Sequence, residues 1–178
     1  MKSKIIAVSA IAAAFISILL TLGAYVSFVD LIVVVLSSIF VLLPIYFKSY
    51  IGCFLAYIAG SVLGFIFSGF NIYSVVFPSF LAFFGVYPIV MCLSYDKNFS
   101  KILFYIISSI WCVAMCYGVY FYYIGVIGEQ ILMGLPEFII DNVLYFITPF
   151  GLILFAIFDR YVFAARILVN KYLGKIIK

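Results

Sequence analysis

The chain has 178 residues, of which 69% are hydrophobic, 21% aromatic and only 9% charged, whereas a soluble domain is nearer half apolar and a quarter charged. No soluble fold of this length could hide so much apolar surface, so the sequence predicts an all-α integral membrane protein with one domain, 1–178. The net charge of +4 comes from basic residues scattered between apolar segments and gathered at the C-terminus, which is not a nucleic-acid footprint.

A membrane-crossing helix needs roughly 20 apolar residues, and six transmembrane helices are predicted, at about 5–28, 31–47, 50–67, 75–95, 102–124 and 138–158. The first apolar run outlasts a signal-peptide core and is read as a span. Its first half is small-sided, with Ala10 and Ala14 four residues apart and Ser9, Ala13 and Ser17 in the next row. A short turn at Asp30 leads to a Val- and Ile-rich second span that ends near Pro44, with Lys48 as its interfacial anchor. The third span carries Gly52, Ala56, Gly60 and Gly64 at every fourth position. In lipid such a stripe lets another helix approach closely. The stripe does not say whether that helix belongs to the same chain or to another protein.

Ser68-Gly69-Phe70-Asn71 is a turn signal. The fourth span holds Pro78 and Pro88, and Pro88 predicts a kink. The polar segment 96–101 is a solvated loop. The fifth span ends in Tyr117, Tyr120, Tyr122 and Tyr123, an aromatic belt or one wall of an outer cavity shared with Trp111. Pro136 and Glu137 suit a helix start. The sixth span contains Pro149 and runs into a basic tail, 159–178, read as an interfacial helix or the extended end of the span.

With the N-terminus inside, the inner segments 1–4, 48–50, 96–101 and 159–178 hold all ten basic residues, and the outer connections hold only Asp30, Glu129, Glu137 and Asp141. The positive-inside rule then predicts a multi-pass protein of the plasma membrane with both termini cytoplasmic.

Little in the sequence supports chemistry. There is no histidine, hence neither the commonest metal ligand nor the commonest general base. No phosphate-binding loop or nucleophile motif is visible, so no enzyme activity, cofactor or metal is expected. Cys53, Cys92, Cys112 and Cys116 all lie in apolar segments and are expected as free thiols. Cys112 and Cys116 share a face and read as small packing residues. Glu137, Asp141 and Tyr145 also share a face, with Asn142 beside them. Asp141 lies about a turn into a span, where a carboxylate needs a wet cavity or a partner. Asp141, Asn142, Tyr145, Tyr120 and Trp111 are the candidate solute-binding residues; interfacial capping by Glu137 and Asp141 is the competing reading.

Six spans in under 200 residues, the Ala-rich first span (Ala10, Ala14) and the small-residue third span (Gly52, Ala56, Gly60) resemble the substrate-binding S subunits of energy-coupling-factor transporters. The chain is also similar to a family of uncharacterised six-span Firmicutes membrane proteins, through Asp30 and the segment Phe84-Gly85-Val86-Tyr87-Pro88. The first resemblance implies an S-component-like bundle that holds a small solute of the vitamin or micronutrient class at the outer face. It implies docking of Ala10, Ala14, Gly52, Ala56 and Gly60 on a transmembrane coupling subunit that works with ATPase subunits. The chain departs from that family in its first outer loop, which is reduced to 27–30. Two alternatives stand beside it: a membrane scaffold without a solute, similar in size to the rod-shape-determining membrane family, and a small oligomeric channel or carrier.

Overall fold

In a computed structural model, residues 2–127 and 142–176 are described, and every regular element among them is helical. The helices, in chain order, are α1 (Lys2–Tyr25), α2 (Asp30–Val41), α3 (Tyr50–Phe67), α4 (Val76–Ser79), α5 (Tyr87–Asp96), α6 (Lys101–Ile127) and α7 (Val143–Ile176). A tight turn of helix, Leu43–Phe47, extends α2, and a widened π turn, Phe80–Phe84, joins α4 to α5 in one rod. Five stretches among the described residues are long and apolar enough to cross a membrane: Ser3–Tyr25, Asp30–Phe47, Tyr50–Phe67, Val76–Asp96 and Lys101–Val126. Among the described residues the chain is therefore all-helical, and its long apolar helices are those of a multi-pass membrane protein. The expected sixth span, 138–158, begins outside the described residues and continues as the first half of α7.

Side-chain bonds define the two ends of the bundle. At one end Asp96 accepts from Tyr50 and pairs with Arg166 at 3.0 Å, which brings together the start of α3, the end of α5 and the second half of α7. Lys101 and Arg166 both stand over the Tyr95 ring here, at 5.8 and 5.2 Å. This is the basic end. At the opposite end Asn71 Nδ2 donates to Ala24 O at 3.0 Å, and Tyr123 Oη donates to Tyr73 O at 3.1 Å. Tyr122 Oη donates to Ile72 O in the same way. These tyrosines, expected as a belt or a cavity wall, hydrogen-bond the carbonyls of the turn between α3 and α4. A polar tip on an apolar body suits an interfacial residue to that task.

The core is aromatic. Phe80, Phe83, Phe84 and Tyr87 on the broken rod are buried against Phe155 and Phe158 of α7. Phe84 and Phe158 meet edge to face at 4.7 Å, and Phe83 stacks on Tyr87 at 5.1 Å. Helices in lipid gain little from hydrophobic burial against one another, so such shape-matched contacts carry the association. On α7 the buried residues Gly151, Phe155, Phe158, Val162, Ala165 and Val169 fall on one stripe. That stripe runs straight from the apolar half into the basic tail. To Ile176 the tail is thus the extended end of the last helix, and as far as Val169 it is packed on the bundle. With 34 residues, α7 is about 51 Å long, well beyond the ~30 Å of a hydrocarbon core.

The break in the α4–α5 rod lies before Pro88 and has a local cause. Pro88 has no N–H and its ring crowds the carbonyl four residues back. The ladder widens ahead of it: Gly85 N bonds Phe80 O, five residues back, at 2.9 Å. Leu81 O is thereby released from its usual partner, and Tyr57 Oη of α3 donates to it at 2.9 Å. Gly85 is what admits that tyrosine, since a Cβ there would sit 2.5 Å from the Tyr57 ring.

Candidate functional site

The small-residue stripe of α3 packs on α1 of the same chain. A Cβ on Gly60 would lie 2.6 Å from Ile16 Cγ2 and 3.1 Å from Ala13 O; one on Gly64 would lie 3.2 Å from Leu20 Cβ. The approach is close enough for Thr21 Oγ1, which bonds Ser17 O at 2.7 Å, to reach Gly64 O at 3.3 Å as well. The two helices run parallel, with Ser9 beside Gly52, Ile16 beside Gly60 and Leu20 beside Gly64. Toward the basic end they frame an apolar groove of about 600 Å³ whose floor includes Ser9, Ala13, Gly52 and Ala56. Ala10, Leu55 and Ala59 are exposed along its rim. Ser9 is 7% exposed, and its Oγ has no hydrogen-bond partner. A helical serine ordinarily bonds a carbonyl of the preceding turn, so a buried hydroxyl without one is unusual. Of the five expected docking residues, Ala10, Gly52 and Ala56 line this groove, Gly60 is buried under α1, and Ala14 is exposed outside the groove lining.

Of the five expected solute residues, four are among the described residues. Asp141 is outside the described residues, as are Glu129, Pro136 and Glu137. Asn142 stands at the start of α7, where its carbonyl accepts from Tyr145 N at 2.9 Å. The Tyr145 side chain is 79% exposed. On α6, Tyr120 packs edge-on against Phe121, and Trp111 packs edge-on against Phe83 at 5.2 Å. Nine residues separate Trp111 from Tyr120, about 14 Å along the helix. The cysteines are free. Cys112 Sγ donates to Gly151 O at 3.7 Å, and Cys116 Sγ would meet a Cβ on Gly151 at 3.4 Å, so both thiols face α7 as packing groups.

A carboxylate that sequence reasoning passed over stands at the opposite end. Asp30 opens α2 beside a cavity of about 130 Å³ lined also by Val34, Val75, Ser79 and Phe84. Its Oδ1 is buried and has no hydrogen-bond partner. The volume would take an ion or an ammonium group and is well short of the 300–1,000 Å³ of drug-sized sites.

No family model, curated protein or solved structure matches this chain. Its geometry is therefore the ground for a functional reading.

The most polar constellation lies at the basic end, where none was expected. Tyr87 is wholly buried and donates to Asp159 Oδ1 across the aromatic core. Asp159 opens in turn onto a cavity of about 350 Å³ lined by Tyr95, Lys101, Phe104 and Tyr105, with Ser94 and Asn98. The sequence holds a usable signal for it. Carried along α7 from Gly151 to Val169, the buried stripe sets Asp159 next to Phe158 and four residues after Phe155, at the edge of the packed face. Among the described residues no group of three or more His, Cys, Asp or Glu could hold a metal.

Proposed function

We propose that the chain is a six-span membrane subunit with both termini in the cytoplasm, and that it works by docking on a second membrane protein through the α1–α3 groove. The observation that carries this reading is the groove itself: about 600 Å³, floored by Gly52 and Ala56, rimmed by the exposed Ala10 and Ala59, with one buried hydroxyl, Ser9 Oγ, left unbonded. Its occupant is a transmembrane helix of a partner. Small residues allow a close backbone approach, and a polar side chain or a free carbonyl on that helix completes Ser9. An energising complex of coupling subunit and ATPases is the partner, as in the energy-coupling-factor S subunits. The basic end faces the cytoplasm, which puts the groove in the inner half of the membrane, where ATPases would act. The antiparallel course of α7 against α6, from Leu144 beside Tyr117 to Phe155 beside Tyr105, supports the sixth crossing.

The solute half of the reading rests on the outer end. Support for it is the unbonded Asp30 oxygen beside its small cavity. Asn142 and Tyr145, at the start of α7, are the described members of the expected solute set on that helix.

The test is co-purification. Ala10→Leu with Ala59→Leu places two side chains over the groove from exposed positions and spares the α1–α3 contact. The expected result is loss of a co-purifying coupling subunit and ATPases with the thermal unfolding midpoint unchanged. Retention of the same partners, or loss of self-association alone, overturns the docking reading; the second outcome makes the occupant another copy of this chain. A thermal-shift screen over vitamins, amino acids and cations reads the solute, since a ligand at 100 times its Kd adds about 2.7 kcal/mol. The absence of any shift would favour a scaffold that binds no solute.

A further inference from the structure

We propose that the basic end of the bundle holds one phospholipid with an ammonium-bearing headgroup, of the phosphatidylethanolamine type. The headgroup lies between Asp159 and Lys101, and an acyl chain lies along α6 toward Trp111.

Two cavities carry this. The first, about 350 Å³, presents a carboxylate and an ammonium that do not neutralise each other. Asp159 Oδ1 is taken by Tyr87, while Oδ2 has no hydrogen bond or ion pair from a described residue. Lys101 forms no ion pair with any described carboxylate; its Nζ stands 5.8 Å over the Tyr95 ring. The second cavity, about 370 Å³, is apolar, with Val90, Leu93, Ile107 and Trp111 along it and Lys97 also in its lining. The two share Ser94, Phe99 and Phe104 in their linings, so they adjoin along the start of α6.

The arrangement of the two cavities points to a lipid. Ten residues separate Lys101 from Trp111 on α6, about 15 Å, which is half of a ~30 Å hydrocarbon core. The polar compartment thus sits at the helix ends, and the apolar one runs toward the bilayer centre. A water-soluble solute would have use only for the first. The charges select the headgroup. Lys101 meets the phosphate, and Lys97 adds positive charge to the adjoining cavity. Asp159 meets the ammonium, and the rings of Phe104 and Tyr105 add cation–π attraction. An anionic headgroup without an amine would offer Asp159 only neutral hydroxyls and no cation to offset its charge. A trimethylated ammonium would bring no N–H donor to its free oxygen.

Native mass spectrometry of the detergent-purified chain, with phosphatidylethanolamine, phosphatidylglycerol and phosphatidylcholine added in turn, tests this. Phosphatidylethanolamine is expected to be retained over the others by roughly tenfold or more, the weight of one charge-assisted hydrogen bond. Asp159→Asn keeps an acceptor for Tyr87 and is expected to abolish the preference. Ile107→Trp, at a half-exposed position in the apolar compartment, should lower retention of every lipid. Lys101→Gln, on the phosphate that all three lipids share, should lower retention of each, and should Asp159→Asn fail to fold, the wild-type ranking of the three lipids alone decides the headgroup. Equal retention of the three lipids, or an undiminished preference in the folded Asp159→Asn variant, overturns the proposal. Free phosphoethanolamine is the second arm: if it displaces the lipid at equal concentration, the site is one for a soluble zwitterion and the lipid assignment falls.

Discussion

Gly85 shows how much one absent side chain decides. Its N–H closes the widened turn on Phe80, and its missing Cβ makes room for the ring that satisfies Leu81. Gly85→Ala gains up to about 1 kcal/mol of helix propensity and forces a methyl to 2.5 Å from a packed ring. Overpacking of that kind costs about 1–3 kcal/mol, so the net effect is destabilising. Tyr57→Phe removes only the hydroxyl and leaves Leu81 O without its donor. Interhelical hydrogen bonds in membranes average about 0.6 kcal/mol, so the smaller loss is expected there. Unfolding in detergent micelles should rank wild type above Tyr57→Phe above Gly85→Ala. An alanine variant as stable as wild type would mean that the Tyr57 ring moves aside at little cost.

Between helices, the stripe on α3 predicts a graded response. A methyl on Gly60 meets Ile16 at 2.6 Å and the Ala13 carbonyl at 3.1 Å, while one on Gly64 meets nothing nearer than 3.2 Å. Gly60→Ala should therefore push α1 and α3 apart and lower stability by about 1–3 kcal/mol. Gly64→Ala should be close to neutral, its contact strain offset by about 1 kcal/mol of propensity. Equal effects of the two, measured side by side, would show that the helices separate freely along their length. The every-fourth spacing of Gly52, Ala56, Gly60 and Gly64 is legible as a close-packing face because a helix repeats every 3.6 residues. Its partner is not legible: a stripe describes the texture of one surface and carries no address. The π turn was beyond the sequence for a related reason. Pro88 says that the ladder breaks, but where the slack collects depends on Tyr57, which belongs to another helix. Asp159 was assigned to the tail because charge follows an apolar run there. Only the register of the α7 stripe brings it back to the core.

Across the whole molecule, the contacts sort the charges. Tyr50, Asp96, Lys101 and Arg166 meet at one end, and Ala24, Asn71 and Tyr123 mark the other. Reporter fusions are expected to place residues 48 and 98 and the C-terminus in the cytoplasm, with residue 70 outside. A C-terminal reporter active outside would remove the sixth crossing, and one at residue 48 active outside would remove the cytoplasmic setting of the groove. Five of the spans were readable, with close bounds, because bilayer thickness imposes helix length from outside the chain. The expected solute constellation falls partly outside the described residues. Spacing along one helix aligned Tyr145 with Asp141 and Glu137, yet the Tyr145 side chain is largely exposed, and Trp111 lies far down α6 from Tyr120.

The pairing of α1 with α3, rather than with α2 alone, bears on how the protein is made. A membrane protein is threaded into the bilayer from its N-terminus as the ribosome delivers it. While only the first two helices have emerged, Ile16 and Leu20 have no glycine face to rest on, and the Ala13 and Ser17 row is turned to lipid or to the insertion machinery. The arrival of Gly52 to Gly64 completes that contact. A nascent chain halted after residue 48 should stay sensitive to membrane-embedded quality-control proteases. One halted once α3 has cleared the exit tunnel should gain protection, which makes the first three helices the earliest unit of assembly.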